Sequence, residues 1–255
     1  MTFQLTEPIL IIGLGGVGTR LAEKTKKSLN SDCLMISHDQ NDITAENSIK
    51  ISTKSVVNPS THLIRGSTLE TSDEIKKNIT NYSTIILMSN LAGKAGTGIG
   101  PIVSRICKQE QKNLLSFVVM PFKFEKERIF QSGIALKRIR QDSQCTIVVD
   151  NDALLDSNPD LTQNQCYDIS NKAIESMMHS LKSSEISGDI NILSTGKATS
   201  DIEVSLKDSL RMLYEDAPPN SIKRSMLYVY GADNIPVGVL NTISNITGGT
   251  FDENS

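Results

Sequence analysis

The chain has 255 residues, of which 38% are hydrophobic and 22% are charged, and these shares are typical of a globular protein rather than a disordered one. Its formal net charge of −3 argues against a basic surface for nucleic acid. No apolar run approaches the ~20 residues that span a bilayer, and the first eight residues lack the pattern of a signal peptide. We therefore expect a soluble, cytoplasmic protein that neither binds nucleic acid nor inserts directly into a membrane.

Cysteine and histidine do not form a metal-binding pattern. The cysteines contain no CxxC pair, and the histidines are scattered along the chain, so we expect buried thiols in a reducing compartment and no metal site. These residues are Cys33, Cys107, Cys145 and Cys166, and His38, His62 and His179.

Five short apolar runs, each followed by a helical segment, give the chain an alternating order of strands and helices. The predicted strands are 9–12, 33–37, 84–88, 114–119 and 145–149. The predicted helices cover 19–29, begin at Thr71 and at Pro101, and cover 124–141, while 42–66 is polar with weak strands at most around Ile49 and Val56. This order predicts an α/β fold with a doubly wound, mostly parallel sheet and a ligand along its carboxyl edge.

Two long helices have candidate buried faces. In the helix over 124–141 we expect Ile129, Ile134 and Ile139 to face inward. A later helix has apolar residues at every fourth position, and this spacing predicts a buried stripe formed by Ile169, Ala173, Met177 and Leu181.

Near 183–188 the composition changes to that of a linker. Beyond it we predict a strand at 190–193, a helix with a capping box formed by Ser200 and Glu203, a turn at 218–220, a strand at 226–230 and a short helix near 237–243. We therefore expect the chain to divide into a first domain (1–163), a central long helix (164–183) and a small, reduced α+β domain (184–255).

A glycine-rich turn, Gly13-Leu14-Gly15-Gly16-Val17-Gly18, follows the first predicted strand. Glycine lets the backbone approach a phosphate, and the first N–H groups of the next helix then point at the negative charge. The same Gly-x-Gly-x-x-Gly pattern, with Asp39 roughly 20 residues further on, also fits a dinucleotide-binding fingerprint. Close strand–helix packing without any ligand is a third interpretation.

A second glycine cluster, Ala92-Gly93-Lys94-Ala95-Gly96-Thr97-Gly98, follows a later strand and again opens a helix. A dinucleotide-binding fold has no need of this second loop. Two anion-binding loops on one sheet edge instead suit a triphosphate that is held from both sides.

With these loops the sequence resembles the tubulin/FtsZ superfamily of filament-forming GTPases, and within it FtsZ. Gly13 to Gly18 matches the family's Gly-x-Gly-Gly-x-Gly loop, and 92–101 matches its GGGTGTG-type signature. The segment from Pro121 to Arg128 matches Pro-Phe-x-Phe-Glu-x-x-Arg, and 151–155 matches Asn-Asp-x-Leu-Leu. The likeness runs without gaps from about Thr84 to Leu155.

The resemblance implies a site for GTP or GDP, with Mg²⁺ as a candidate companion ion. The implied nucleotide-binding residues are Gly15, Gly16, Val17, Gly18 and Arg20 at the first loop, Gly93, Lys94, Ala95, Gly96, Thr97 and Gly98 at the second, Glu125 and Arg128 near the ribose, and Asn151 and Tyr167 near the ribose and base. The structural alternatives are a surface ion pair for Glu125 with Arg128 and a core position for the Tyr167 ring.

The chain departs from the family at four positions. Lys94 and Ala95 replace a glycine and the signature threonine, and Arg20 replaces an asparagine. Lys172 stands where the family has an aspartate that accepts the guanine N–H protons, and a lysine has only donors. Base specificity is therefore open, and the family's γ-phosphate loop is not recognisable in 60–69.

The largest departure follows the long helix, where the family has an Asn-x-Asp-x-x-Asp loop that supplies carboxylates to the next subunit. Between Leu181 and the next strand this chain offers only Glu185 and Asp189, with a different spacing. Since a positioned general base contributes ~10²–10⁴ to a rate, we expect GTP hydrolysis to be weak or absent, and we assign no catalytic residue.

Three functions remain open from the sequence. The first is an FtsZ-like guanine-nucleotide-binding protein of a cytoskeletal or cell-division assembly, which associates with itself or with another FtsZ-like subunit. The second is a Rossmann-type protein or enzyme that binds NAD. The third is a structural interaction module without a ligand.

Overall fold

The computed structural model describes residues 2–54, 57–181, 185–196, 201–217, 226–227 and 237–248. The chain divides into two compact units, of which the first holds Met1–Val149 and Leu181–Asn191 and the second holds Asp150–Ser180 and Ile192–Ser255. Over the described residues, the first unit carries the β-sheet and the second is built mainly from helices.

The described strands form one seven-stranded sheet and one small two-stranded sheet. The strands are β1 (Thr2–Phe3), β2 (Ile9–Leu14), β3 (Asp32–Ser37), β4 (Ser48–Lys50), β5 (Thr84–Asn90), β6 (Asn113–Met120), β7 (Cys145–Asp150), β8 (Ile186–Ser187) and β9 (Asp189–Ile192). The large sheet has the order β4-β3-β2-β5-β6-β7-β9, and its pairings from β4 to β6 are parallel. Strands β1 and β8 pair antiparallel.

Helices follow the strands along the chain. They are α1 (Gly15–Leu29), α2 (Thr61–Glu70), α3 (Ser72–Ile79), α4 (Lys94–Gln109), α5 (Lys126–Asp142), α6 (Asn151–Ser157), α7 (Gln163–Leu181), α8 (Ile202–Asp216) and α9 (Val237–Gly248), and a 3-10 turn covers Gln40–Asp42. Among the helical residues that the structure describes, no helix has the length and apolar character needed to cross a membrane.

Helices cover both faces of the large sheet, which explains why nearly every residue of its central strands is buried, whichever face it lies on. On one face the hydroxyl group of Thr25, in α1, lies 3.7 Å from the sulfur of Met88 in β5. On the other face Leu87 belongs to a core that includes Ile64 of α2 and Ile99 of α4. The predicted doubly wound, mostly parallel sheet is confirmed.

The order of the strands reverses between β2 and β5. From β2 the chain moves outward through β3 and β4, returns to β5 beside β2, and then moves outward on the other side. In open α/β sheets, ligands bind outside the carboxyl ends of the strands at such a reversal. Helices α1 and α4, which follow β2 and β5, both begin there.

Helix α2 lies in a stretch for which the sequence predicted polar residues and weak strands at most. The weak strand around Ile49 exists as β4, but 61–70 is helical. Ser60 caps this helix by accepting a hydrogen bond from the Leu63 N–H, and within the helix only Ile64 and Thr68 are buried. One buried residue per turn is too sparse a pattern to reveal a helix.

The predicted helix start at Pro101 is wrong, because α4 begins at Lys94 and contains Pro101. Proline has no N–H group, so the carbonyl oxygen of Thr97 loses its usual partner four residues later. That oxygen lies 3.3 Å from Nη2 of Arg65, which donates to it from α2.

The predicted inward face of α5 is partly wrong. Ile139 is buried, but Ile129 is 39% exposed and Ile134 is only half-buried. The buried positions are Ser132, Ala135 and Ile139. At 3.6 residues per turn these three residues share one face, and the other two isoleucines point away from it.

The predicted stripe on α7 is displaced by one residue over most of its length. Ile169 and Ala173 are half-buried, whereas Met177 and Leu181 are buried as expected. The other buried positions of the helix are Cys166, Ser170, Ile174 and Met178. A shift of one residue rotates a helical face by about 100°. The spacing of apolar residues in the sequence therefore located the buried face of α7 poorly.

Helix α8 begins with a different cap from the one predicted. Asp201 accepts hydrogen bonds from the N–H groups of Glu203 and Val204. Ser200, the predicted cap, lies outside the described residues. The strand predicted at 190–193 exists as β9, but it joins the large sheet as a neighbour of β7.

The remaining C-terminal predictions are only partly covered by the described residues. The turn at 218–220 and positions 228–230 of the predicted strand lie outside them. The weak strand predicted around Val56, nearer the start of the chain, also has its central residue outside the described residues. Met226 and Leu227 are described and are not in a strand. The short helix predicted near 237–243 is α9, which continues to Gly248.

Candidate functional site

The first glycine turn joins β2 directly to α1, and two of its glycines are needed for close packing. A Cβ atom on Gly13 would lie 2.4 Å from the carbonyl oxygen of Gly18. A Cβ atom on Gly18 would lie 2.4 Å from the carbonyl oxygen of Met88 in β5. The strand–helix packing interpretation therefore explains these two glycines, whatever else the turn does.

The other two glycines of this turn form the start of α1. Gly15 is the first residue of the helix. Its φ of +64° is a backbone angle that residues other than glycine rarely adopt. A Cβ atom on Gly16 would lie 2.5 Å from Oδ1 of Asp42 and 3.4 Å from Nη1 of Arg20. Val17 follows and is half-buried.

The second glycine turn joins β5 to α4 and is held by Asn90. The Asn90 side chain accepts a hydrogen bond from the Ala92 N–H at 2.9 Å, and its carbonyl accepts one from the Gly93 N–H. A Cβ atom on Gly96 would lie 2.1 Å from the same carbonyl oxygen. Gly93 is the N-cap of α4, and a Cβ atom there would come no closer than 3.5 Å to a neighbour.

The two glycine turns touch each other at the point where the strand order reverses. A Cβ atom on Gly15 would lie 2.7 Å from the Cβ atom of Ala95, which is buried. Both helices therefore present their first turns to one region outside the carboxyl ends of β2 and β5. The structure brings the two predicted phosphate loops together.

Helices α1 and α4 share a second property that bears on ligand binding. Neither has a side-chain hydrogen bond at its N-cap, and neither has an acidic residue in its first turn. Among the helices whose N-caps the structure describes, α2, α6 and α8 have a side-chain cap, and α3 and α5 have acidic first turns. The first N–H groups of α1 and α4 are thus left to water or to an anionic ligand.

Three predicted residues of the second turn are committed to packing or local bonds. The Lys94 ammonium group donates to Oδ1 of Asn58 at 2.6 Å and to the carbonyl oxygen of Pro59 at 3.1 Å. The hydroxyl group of Thr97 donates to the Gly93 carbonyl at 3.1 Å within the helix. A Cβ atom on Gly98 would lie 2.9 Å from Ile64, so this glycine lets α2 pack on α4.

Glu125 and Arg128 form an ion pair at the start of α5. Nη1 of Arg128 lies 2.6 Å from Oε1 of Glu125, and the other carboxylate oxygen accepts from the Phe122 N–H at 3.2 Å. This geometry is the surface ion pair that the sequence left open as the alternative. The contact with a ribose stays a prediction.

Asn151 and Tyr167 belong to the second unit, whereas the glycine turns belong to the first. Asn151 begins α6 and is fully buried, and its Oδ1 atom accepts from the hydroxyl group of Ser170. Its Nδ2 atom has no hydrogen-bond partner among the residues that the structure describes. Tyr167 is half-buried on α7, and Lys172 is exposed on the same helix.

Asp150, directly before Asn151, lies in an acidic cluster of the second unit. Its side chain accepts a hydrogen bond from the Asp152 N–H at 2.8 Å, and the side chain of Asp216 lies close enough to influence its charge. Burial raises the pKa of the Asp150 carboxyl group, and the nearby charge of Asp152 adds to this rise.

The sequence missed two residues beside the glycine turns. His38 follows β3, and its pKa is lowered by burial, against the opposing charges of Asp39 and Asp42. Arg65 of α2 donates to the Thr97 carbonyl, and its pKa is lowered by burial and by Arg138. For His38 the signal was its position after a strand of the predicted sheet, whereas for Arg65 there was none, because α2 itself was not predicted.

The two carboxylates identified from the sequence lie between α7 and the start of β9, where Asp189 is the first residue of the strand. Oδ1 of Asp189 lies 3.1 Å from Nε and 3.0 Å from Nη2 of Arg140, so this carboxylate is paired within the first unit. Glu185 is exposed. In the sequence these two carboxylates have a different spacing from those of an Asn-x-Asp-x-x-Asp loop.

Metal-ligating side chains do not cluster in the part of the chain that the structure describes. There, no group of three or more His, Cys, Asp or Glu residues is placed to hold a metal ion. The Asp42 carboxylate approaches the first glycine turn, with its Oδ1 atom 2.5 Å from the position of a Cβ on Gly16.

Residues 60–159 match the sequence profile described as the Tubulin/FtsZ family, GTPase domain. The protein "Cell division protein FtsZ 1" of Halobacterium salinarum is 26% identical over 192 residues, which cover 70% of this chain and 47% of that protein. "Cell division protein FtsZ" of Haloferax mediterranei is 32% identical over 115 residues, or 45% of this chain and 30% of that protein. The chain thus spans less than half the length of these relatives.

A solved structure of a mutant FtsZ from M. jannaschii has the same fold. Its TM-score with this chain is 0.78 at 17% sequence identity, and the match covers 97% of this chain and 83% of that one. At this identity the likeness concerns the fold alone.

Proposed function

The chain is a divergent FtsZ-like protein with the fold of the tubulin/FtsZ GTPases, and from this premise we propose that it binds a guanine nucleotide, GTP or GDP. The observation that carries the proposal is the pair of uncapped helix starts, α1 and α4, that meet through Gly15 and Ala95. Helix N-termini bind phosphate through free N–H groups and the helix dipole. Two of them at one reversal point suit a chain of phosphates.

The glycine turns have separate roles in this proposal. Backbone N–H groups of Gly15, Gly16, Val17 and Gly18 hold the α- and β-phosphates, with Arg20 beside them. The second turn, from Gly93 to Gly98, holds the β- and γ-phosphates. The proposed ribose and base residues are Glu125, Arg128, Asn151 and Tyr167.

Mg²⁺ fits this proposal as a companion of the phosphates rather than as a resident of the protein. The described residues offer no three-ligand cluster, whereas phosphate oxygens are good ligands for Mg²⁺. The ion would neutralise phosphate charge in the bound nucleotide.

Hydrolysis is proposed to be weak or absent. Between α7 and the start of β9 the chain offers Glu185 and Asp189, and Asp189 is already paired with Arg140. Without a carboxylate that orients the attacking water, the general-base contribution of ~10²–10⁴ is missing.

The cellular role is proposed from the relatives, two of which have "cell division protein" in their names. We infer a cytoplasmic protein of a cytoskeletal or division assembly that associates with itself or with another FtsZ-like subunit. Sedimentation of the purified chain with and without GTP, alone and with an FtsZ, measures this association.

A thermal-shift panel with GTP, GDP, ATP and NAD tests the nucleotide proposal. A ligand at about 100 times its Kd stabilises the folded state by about 2.7 kcal/mol, so GTP and GDP should each raise the Tm measurably. ATP reports whether the base matters, since Lys172 is a donor where the family has an acceptor. Phosphate release in Mg²⁺ and GTP should be negligible.

Other results of the panel identify the alternatives. A shift with NAD alone would indicate the dinucleotide binder. No shift with any nucleotide would indicate the structural module, and rapid phosphate release would contradict the proposed lack of hydrolysis.

A further inference from the structure

Asp42 places a carboxylate on the first glycine turn. The residue ends the 3-10 turn that follows β3, and its side chain is half-buried against the start of α1. Its Oδ1 atom lies 2.5 Å from the position of a Cβ on Gly16, and its Oδ2 atom lies 3.9 Å from the position of a Cβ on Gly15. The carboxylate is therefore in van der Waals contact with the proposed phosphate loop.

The loop after β3 holds this carboxylate in place. The hydroxyl group of Ser37 donates to Oδ2 of Asp42 at 2.7 Å, and the same hydroxyl oxygen accepts from the Asp39 N–H at 3.1 Å. The Asp39 side chain caps the turn by accepting from the Asn41 N–H at 2.9 Å. Asp42 therefore cannot turn away without breaking its bond to Ser37.

Titratable side chains lie near Asp42 in the described part of the structure. Arg20 is one of them. Its Nη1 atom lies 3.4 Å from the position of a Cβ on Gly16, and Oδ1 of Asp42 lies 2.5 Å from that same position. His38 and Asp39 precede Asp42 in the same loop, and Lys94 lies close enough to act on the charge of His38. Lys94 donates to Asn58 and Pro59, whereas the Arg20 guanidinium of α1 lies beside the same Gly16 position as the carboxylate.

We propose that Asp42 makes the site selective for cation-complexed nucleotide and unfavourable to the same nucleotide without a divalent cation. The proposal rests on the proposed binding of guanine nucleotides at the glycine turns. A carboxylate fixed beside the phosphate loop repels free phosphates, since like charges near a protein surface interact strongly at short range. A divalent cation on the phosphates cancels this repulsion. One exposed arginine offsets it only in part, because salt and water screen an exposed charge.

The test compares GDP affinities of the full chain, with and without the Asp42 charge. Asp42→Asn removes the charge and keeps an oxygen that accepts from Ser37, so the loop is preserved. Glu46→Gln is the matched control, since it removes the same charge from an exposed side chain in the connection from β3 to β4. Isothermal titration calorimetry measures each Kd in EDTA and in excess Mg²⁺, and a melting curve verifies the folding of each variant.

In EDTA, Asp42→Asn should bind GDP roughly tenfold more tightly than the unmodified chain, because a close like charge is gone. In excess Mg²⁺ the two should agree within about threefold, and Glu46→Gln should follow the unmodified chain in both conditions. Equal or weaker binding by Asp42→Asn in EDTA would overturn the proposal. A large loss confined to Mg²⁺ would also overturn it, since Asp42 would then hold the cation itself.

Failure of the underlying function gives a different result. If no variant binds GDP or GTP in either condition, the nucleotide proposal is wrong, and the proposed role of Asp42 in selectivity is then wrong as well. If all variants bind and Asp42 has no effect in EDTA, the nucleotide proposal stands and only the role of Asp42 is refuted.

Discussion

The ammonium group of Lys94 lies 2.6 Å from the side-chain oxygen of Asn58 and thereby joins the second glycine turn to the segment before α2. The same group donates to the Pro59 carbonyl oxygen at 3.1 Å. Resemblance to the family would place a glycine at position 94, so this attachment is a property of this chain. Helix α2 also packs on α4 through Gly98, which leaves the Lys94 contacts at the edge of a close interface.

Replacing Lys94 by Met should loosen the segment before α2 while leaving the fold intact. Exposed polar contacts of this kind contribute up to ~1 kcal/mol, so local opening should increase about fivefold or less. Hydrogen–deuterium exchange of a peptide covering 57–61 measures the effect. Lys126→Met, at the exposed first residue of α5, is the control and should leave this peptide unchanged. Equal exchange in both variants would show that Lys94 does not hold the segment.

Gly93→Asp should abolish nucleotide binding without unfolding the protein. Gly93 is the N-cap of α4 and has space for a Cβ atom, and aspartate is a favoured N-cap residue. The Tm without ligand should therefore stay level or rise, while the new charge repels phosphate. Gly93→Asn is the neutral control, with a similar shape and similar capping ability. Thermal shifts with GDP compare the two, and the assignment of the second turn fails if Gly93→Asp still responds like Gly93→Asn.

Gly18→Ala should destabilise the first unit, because its Cβ atom would lie 2.4 Å from the carbonyl oxygen of Met88. Forcing a methyl group into a close backbone contact costs about 1–3 kcal/mol. Gly133→Ala is the control, since a Cβ atom there meets nothing within 4 Å on an exposed turn of α5. It should stabilise the protein by about 0.5–1 kcal/mol through helix propensity. Urea unfolding measures both, and similar effects in the two variants would contradict the packing role of Gly18.

Asp150→Asn should stabilise the protein near neutral pH. Burial raises the pKa of the Asp150 carboxyl group in the folded state above its ordinary value. The folded protein therefore binds the proton of the Asp150 carboxyl group more tightly than the unfolded chain does. The contribution of this proton to the free energy of unfolding is lost as the pH rises through the folded-state pKa. Asparagine stays neutral and can still accept from the Asp152 N–H, so it avoids this loss.

The measurement is the free energy of unfolding of both proteins from about pH 8 down to about pH 4.5. The advantage of Asp150→Asn should be largest at the upper end and should disappear as the pH falls. Asp39→Asn is the control. The Asp39 side chain also accepts a hydrogen bond from an N–H group two residues later, that of Asn41, but it lies in an exposed turn. An advantage that does not depend on pH would show that the buried charge is not its cause.

Where the structure differs from the pattern of the sequence, tertiary contacts decide it. Helix α2 buries little beyond Ile64 and Thr68, so it had no detectable period. Pro101 suggested a helix start, yet α4 accommodates it because Arg65 takes the freed carbonyl oxygen of Thr97. On α7 the buried face includes Cys166 and Ser170. Neither is a large apolar residue, so a pattern of large apolar residues does not reveal this face.

The sequence by itself determined the alternating strands and helices, the two glycine turns and the likeness to FtsZ, because each depends on residues that are close along the chain. Only the tertiary structure decided that the turns meet through Gly15 and Ala95, and that Gly13 and Gly18 are needed for packing. It also decided that Asp42 lies on the first turn. These relations depend on which strands are neighbours, and parallel strands are paired across long separations in sequence, so no local pattern encodes them.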